Sequence, residues 1–447
     1  MDPRGSTTQP LGIVAPRRWY RTKRARAAFG VLIAVAAYLI AFEWSMPPDI
    51  DDPFDVPAAL RIDVNVGDNA YDDFGVASRL LQPVSNFQTD SRRNPDEPKP
   101  GVTWSQQPAE VRAWVEANAE ALAAFRAGSQ RNAALFKPPD EMRINTLLPV
   151  DQDLRALARL AVWEGARRES QGDFETAWGW YRAVLRASRL EAQHGVVIQR
   201  LVSIALDKMA ADAVARWSSN PQVNAALLRR ALAEIQEIDA TTPPNVRSLQ
   251  YDYIILNKEL RDPGPLLTEY ISNQKNLPWV FYLAAGLYPK WVKLQVAVGF
   301  DAERSKRVLR LYCANWLAAA KLPKSRRPPL ATIARRDGEV PPPPLFELDA
   351  ASTPDRLRGI SPPRIAGYYR GTILAQAAIS SSWIVHYLAT IDRERARHAR
   401  LVVTLASEIF RRERGRAPTA PDELVPTYLP RIPDDYTTDD PDAIKKP

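Results

Sequence analysis

Apolar residues recur along most of the chain at the three-and-four spacing of helices that bury one side. After Pro108 the stripe is Val111, Trp114, Val115, Leu122 and Phe125, with Glu110 in the first turn and Gly128 as a stop. A second helix, after Asp151, puts Leu154, Leu157, Ala158 and Ala161 on one side. A third, after Gly172 and Asp173, carries Phe174, Ala177, Trp178, Tyr181 and Leu185. The spacing returns in Val197, Leu201, Ile204 and Ala205, then in Leu227, Leu228, Ala231, Ile235 and Ile238, then in Val246, Leu249, Tyr253, Leu256 and Leu260. Turn sequences at Thr241 to Asn245 and Asp262 to Pro265 separate these helices, and short links favour antiparallel neighbours. No alternating pattern of strand length competes, so the predicted fold class is mainly α, an α-helical bundle or hairpin array.

Three apolar stretches break this rhythm. Leu277 to Leu287 is too short to span a bilayer and ends at Pro289 and Lys290, so it reads as a buried helix. Gly371 to Ile391 is long enough, but Gln376, Ser380, Ser381, Ser382 and His386 suit a buried core helix better than lipid. It opens a proline-free region from about Ala366 to Arg414 that predicts one long C-terminal helix or two stacked ones. Val402, Leu405, Ala406 and Ile409 give that region an apolar face, while Arg411, Arg412, Arg414 and Gly415 suit its end.

The third stretch, Ala27 to Phe42, is uncharged and closes at Glu43 and Trp44. To Trp44 it would span about 27 Å at 1.5 Å per residue, enough for a transmembrane helix with some snorkelling at the ends. Trp19, Tyr20 and Trp44 flank it, as interfacial aromatics do. Charge supports the same reading. The net charge is +8, but residues 1–26 hold Arg4, Arg17, Arg18, Arg21, Lys23, Arg24 and Arg26 against Asp2 alone. The remainder is close to neutral, which excludes the basic folded surface that a nucleic-acid binder needs. Asp49, Asp51, Asp52 and Asp55 follow the span, so the basic end faces the cytoplasm and the main domain lies outside it. A cleaved signal peptide has the same layout, but Phe42, Glu43 and Trp44 offer no small-x-small cleavage site, which favours a single-pass signal anchor.

The 447 residues, 45% of them hydrophobic, can bury one large core or two ordinary ones. The 39 prolines cluster, and the clusters mark boundaries. The expected organisation is a basic cytoplasmic tail (1–26), a transmembrane helix (27–44), a Pro/Asp-rich spacer (45–105) with a short helix around Ala70 to Leu81, and a helical domain (106–320). A Pro-rich linker or loop (321–365) containing Pro341 to Pro344 follows, and then the C-terminal region (366–447).

Two segments carry resemblances. Gly172-Asp173-Phe174-Glu175-Thr176-Ala177, followed by Tyr181 and preceded by Gly165, resembles the tetratricopeptide consensus, which implies one closely packed helical hairpin. Ala406 to Pro418, then Asp422-Glu423-Leu424-Val425-Pro426-Thr427-Tyr428-Leu429-Pro430 and Pro433, is similar to the segment following the long N-terminal helix of type II secretion pseudopilins. Together with Asn69-Ala70-Tyr71, the Ala117 to Leu122 helix and the 151–210 helices, these segments resemble a bacterial family of uncharacterised, membrane-anchored helical proteins. That resemblance implies placement in the bacterial cytoplasmic (inner) membrane with a periplasmic domain, and it supplies no chemistry.

A search for chemistry names no catalytic, cofactor-binding or metal residue. His194, His386 and His398 form no His-Glu-x-x-His pair, and the last two would point about 120° apart on one helix. Gly-x-Ser-x-Gly, Walker and Gly-x-Gly-x-x-Gly motifs do not occur. Asp434, Asp435, Asp439, Asp440 and Asp442 lack EF-hand spacing and read as a solvated acidic tail. Cys313 and Trp114, Trp163, Trp178, Trp180, Trp217 and Trp316 lie on or near apolar stripes, which predicts core packing. An enzyme is therefore the less favoured reading, and no cofactor is expected. The favoured one is a binding or scaffold protein whose partners are the bacterial membrane and another envelope protein or peptide, with no nucleic acid. An accessory of a secretion or pilin-like machine is the alternative, and an enzyme with an unfamiliar site the third.

Overall fold

The computed structural model describes residues 27–30, 32–33, 46–65, 67–83, 104–264, 266, 301–334, 341–379 and 383–436. Contacts divide the chain into two units, Met1–Pro48 and Asp49–Pro447. In the first, residues 27–30, Leu32 and Ile33 are helical, and Phe29, Leu32 and Ile33 are exposed. The rest of the span predicted to Trp44 lies outside the described residues, as does the helix predicted over Leu277 to Leu287. Among the described residues no helix is long and apolar enough to cross a membrane.

The second unit is mainly helical, with α1 (Ala70–Leu80), α2 (Ala109–Ala117), α3 (Ala119–Ser129), α4 (Pro149–Ser170), α5 (Phe174–Gln193), α6 (Val197–Ser219) and α7 (Ala225–Ala240) leading. After them come α8 (Val246–Glu259), α9 (Asp301–Ala320), α10 (Pro362–Arg370), α11 (Ile373–Ala378) and α12 (Trp383–Arg414). Among the described residues there is no strand, only isolated bridges at Asn69–Ala133 and Leu330–Phe346.

The α5 start follows its sequence. The Asp173 carboxylate accepts from Thr176 N at 3.0 Å, and Gly172 takes φ +79°, where a side chain would be strained. A Cβ on Gly165 of α4 would fall 2.3 Å from the Tyr181 ring, so the missing side chain lets α4 and α5 approach. By contrast, the helix predicted from Pro108 to Gly128 is broken at Asn118. Its side chain accepts from Gln82 N at 2.7 Å and donates to the Gln82 and Trp114 carbonyls, and the chain turns there into α3. Leu201, expected on a buried stripe, is exposed beside Ile198, because polar Gln199, Arg200 and Ser203 take the buried side of α6.

The apolar side chains form two cores. The first joins α1 to α5, the C-terminal part of α6, α7, and Leu401 to Phe410 of α12. The second joins α8 to α11, the start of α6, and Ile384, Tyr387, Leu388 and Ile391 of α12. Helices α6 and α12 thus run through both. The six tryptophans and Cys313 are buried, and burial pushes the Cys313 thiol up.

The Pro-rich stretch after α9 is a loop held on the second core. Leu345 and Phe346 are buried, the Asn315 side chain bonds both Phe346 backbone groups, and Trp316 Nε1 donates to the Pro344 carbonyl. The Asp-rich stretch after the predicted span is likewise tied down, with Asp49 and Asp52 paired to Arg310. At the other end, Gly415 takes φ +72° and the chain folds back, setting Tyr428 against Phe410 and Leu424 and Leu429 in the first core.

Candidate functional site

Helix α5 carries Arg182, Arg186 and Arg189 at helical spacing, so their side chains leave one side of it. That side forms the floor of a groove of about 500 Å³ whose walls are α3 and α7. Arg126 of α3 lies over the Trp180 ring, 5.0 Å from its centroid, and its guanidinium makes no hydrogen bond within the described residues. Gly179 leaves it room: a Cβ there would meet Arg126 Nη2 at 3.2 Å. Arg182 donates to Glu234 of α7 at 2.9 Å, and the other Glu234 oxygen accepts from Trp178 Nε1 at 2.6 Å.

Arg186 has no carboxylate partner among the described residues. Its Nε and Nη2 donate to the carbonyls of Ser129, Gln130 and Arg131 at the end of α3, which leaves Nη1 free. Burial, and then the neighbouring Arg182 charge, lower its pKa. A smaller cavity of about 90 Å³ continues the groove past Arg186 to Arg189 and Arg131. Glu237 stands exposed on the α7 rim.

Behind this groove, Arg189 enters a buried charge cluster at the junction of the two cores. It donates to Asp207 at 2.9 Å, Asp239 at 3.2 Å and Glu394 at 3.1 Å. Arg200 makes a paired contact with Glu394 at 3.1 and 2.5 Å, and His398 bonds Asp239. Burial opposes the His398 charge, but the Asp239 carboxylate outweighs it and the pKa is raised. With His398 protonated, three positive groups balance three carboxylates.

A second polar cluster contains a proton that sequence reasoning does not reveal. Tyr71 Oη lies 3.1 Å from Asp151 and 2.7 Å from Glu191, while Gln199 Nε2 donates to it at 2.5 Å. A phenol has one proton to give, so the second carboxyl must carry its own to complete a bond. Burial, reinforced by the Asp151 charge, pushes Glu191 well up, and burial raises Asp151 to about 6. All four side chains are buried.

No family model, curated protein or solved structure matches the chain. Function must therefore be read from these three arrangements. The Tyr71 cluster has carboxyls with raised pKa values, as an acid/base site needs, but neither cavity reaches it. The junction cluster is mostly buried, and the smaller cavity reaches it at Arg189. His194, whose pKa burial lowers to about 4, bonds the Tyr251 hydroxyl. Of the three, the groove is the open one, and it is basic and polar. Of its lining, only Ile238 and Thr241 stand out in the sequence, as part of the α7 stripe and the turn after it, and none of its charged residues does. The readable signals are Arg182 and Arg186 one turn apart without an acid between them on that face, and a glycine inside a helix at Trp178-Gly179-Trp180.

Proposed function

We propose that the protein is a membrane-anchored binding or scaffold protein of the bacterial cell envelope, and that the α3–α5–α7 groove receives its partner. The groove carries this reading: it is open, and in it Arg126 and Arg186 keep donors without an acceptor among the described residues, whereas the charged groups of the two inner clusters bond one another. Exposure of Phe29, Leu32 and Ile33 on one helical segment supports the anchor, because water disfavours such a face and lipid covers it. The basic end is cytoplasmic and the helical body periplasmic.

Site-specific photocrosslinking in intact cells tests this. A crosslinker at Gln130 or Glu237 is expected to trap one or a few envelope proteins that a crosslinker at Lys208, exposed on α6, does not. The same adducts from all three positions, or none from any, would reject the groove as the binding face. A folded tail packed on the end of α12 is what a pseudopilin-like accessory would share, and adducts to a secretion component would decide for that alternative.

A further inference from the structure

We infer that the groove takes an acidic peptide segment of the partner, its Asp or Glu side chains held by Arg126 and Arg186. The inference rests on the groove being the binding face and adds the chemistry of what binds there.

Three observations carry it. Arg126 is held over the Trp180 ring, 5.0 Å from its centroid, with its donors unused and available to an incoming planar acceptor. Arg186 is anchored by three backbone carbonyls, yet keeps Nη1 free, and burial beside the Arg182 charge disfavours its own; the opposite charge of an incoming carboxylate offsets that cost. The cationic row is also long. Arg182, Arg186 and Arg189 rise roughly 6 Å and then about 4.5 Å along α5, and the side chains on one face of an extended peptide repeat every 6–7 Å or so. An extended acidic segment lying along this row can set one carboxylate at Arg186 and another at Arg126 on the facing wall.

The competing charges are accounted for. Glu234 is occupied on both oxygens, by Arg182 and Trp178. Asp207, Asp239 and Glu394 neutralise Arg189 from behind, and Asp73 pairs with Arg131 at 2.7 Å. Glu237, exposed on the rim, is the carboxylate that opposes an acidic ligand.

The test uses the full chain in bilayer nanodiscs and the fluorescence anisotropy of a labelled peptide of about ten residues alternating Glu and Ser, with a Gln-for-Glu counterpart. The acidic peptide is expected to bind at least about tenfold more tightly than its Gln counterpart. Arg126→Gln should weaken it by about tenfold, as loss of a charge-assisted pair does. Arg126 makes no hydrogen bond to the fold, so this variant should keep its circular dichroism. Glu237→Lys, on the exposed rim, should tighten binding several-fold.

Equal binding of the two peptides overturns the inference. So does binding that ignores Arg126→Gln and disappears when residues 1–26 are removed, which would place the attraction in the basic tail. Displacement by inorganic phosphate at the peptide's own concentration would make this a small-anion site. A chain ending at Tyr436 that binds more than about tenfold more tightly would make the protein's own acidic tail the occupant. Groove-specific crosslinks together with a failed peptide test would leave the binding face standing and remove only its acidic ligand.

Discussion

At the residue scale, the proton between Tyr71, Asp151 and Glu191 has measurable consequences. Both carboxyls have folded pKa values raised above their unfolded ones, so the native state binds more protons than the unfolded chain from about pH 4 upward. Their contribution is therefore fully present below pH 4, and it is lost as pH rises through about 6 for Asp151 and higher still for Glu191. Glu191→Gln keeps a donor and an acceptor in place but removes the titration. In urea unfolding it should be more stable than the parent at pH 8, by about 1–2 kcal/mol, and within about 1 kcal/mol of it at pH 5. A parallel pH dependence of the two proteins would mean that no shared proton exists. Neither acid is recognisable in the sequence as buried. Asp151 looks like an ordinary first-turn carboxylate and Glu191 like a surface residue, and only Tyr71, far off in the chain, and Gln199, at the start of the next helix, make a buried place for them.

Helices and their breaks differ in how far they can be read. Stripes such as Phe174, Ala177, Trp178, Tyr181 and Leu185 announce α5 because a 3.6-residue period is local information, and the Gly172–Asp173 turn fixes its start. The breaks depend on partners elsewhere. Asn118 divides α2 from α3 through Gln82. The proline-free region from Ala366 gives three helices because Asp301 of α9 accepts from the Ile373 and Leu374 amides at 3.1 and 2.8 Å, and Ser305 from the Ala375 amide at 3.0 Å. A carboxylate 72 residues away thus caps α11, and no local rule could foresee it. Asp301→Ala should cost about 1–2 kcal/mol in thermal or urea unfolding, and Asp301→Asn should recover part of that, since the amide oxygen still accepts. If Glu303→Ala, in the same turn but paired with Arg307 instead, cost as much, the cap would not be the cause. The groove follows the same division: Arg182 and Arg186 are legible as a pair, but Arg126 joins them only because α3 packs across α5.

For the whole molecule, the junction cluster makes the two cores depend on each other. Glu394 holds both Arg189 and Arg200, each buried with an Nε that has no partner among the described residues, so removing it strands two charges. Glu394→Ala should lower stability by roughly 3–5 kcal/mol and shift one cooperative transition, with tryptophan fluorescence and circular dichroism moving together. Two separated transitions would show instead that the cores stand alone.

Helix α12 adds a dimension of time to this coupling. It comes after the other long helices of the described residues, yet it supplies Ile384 to Ile391 to one core and Leu401 to Phe410 to the other. While the chain is being synthesised, both cores lack a wall until this helix emerges from the ribosome. Both cores therefore stay open until α12 docks, and they close together.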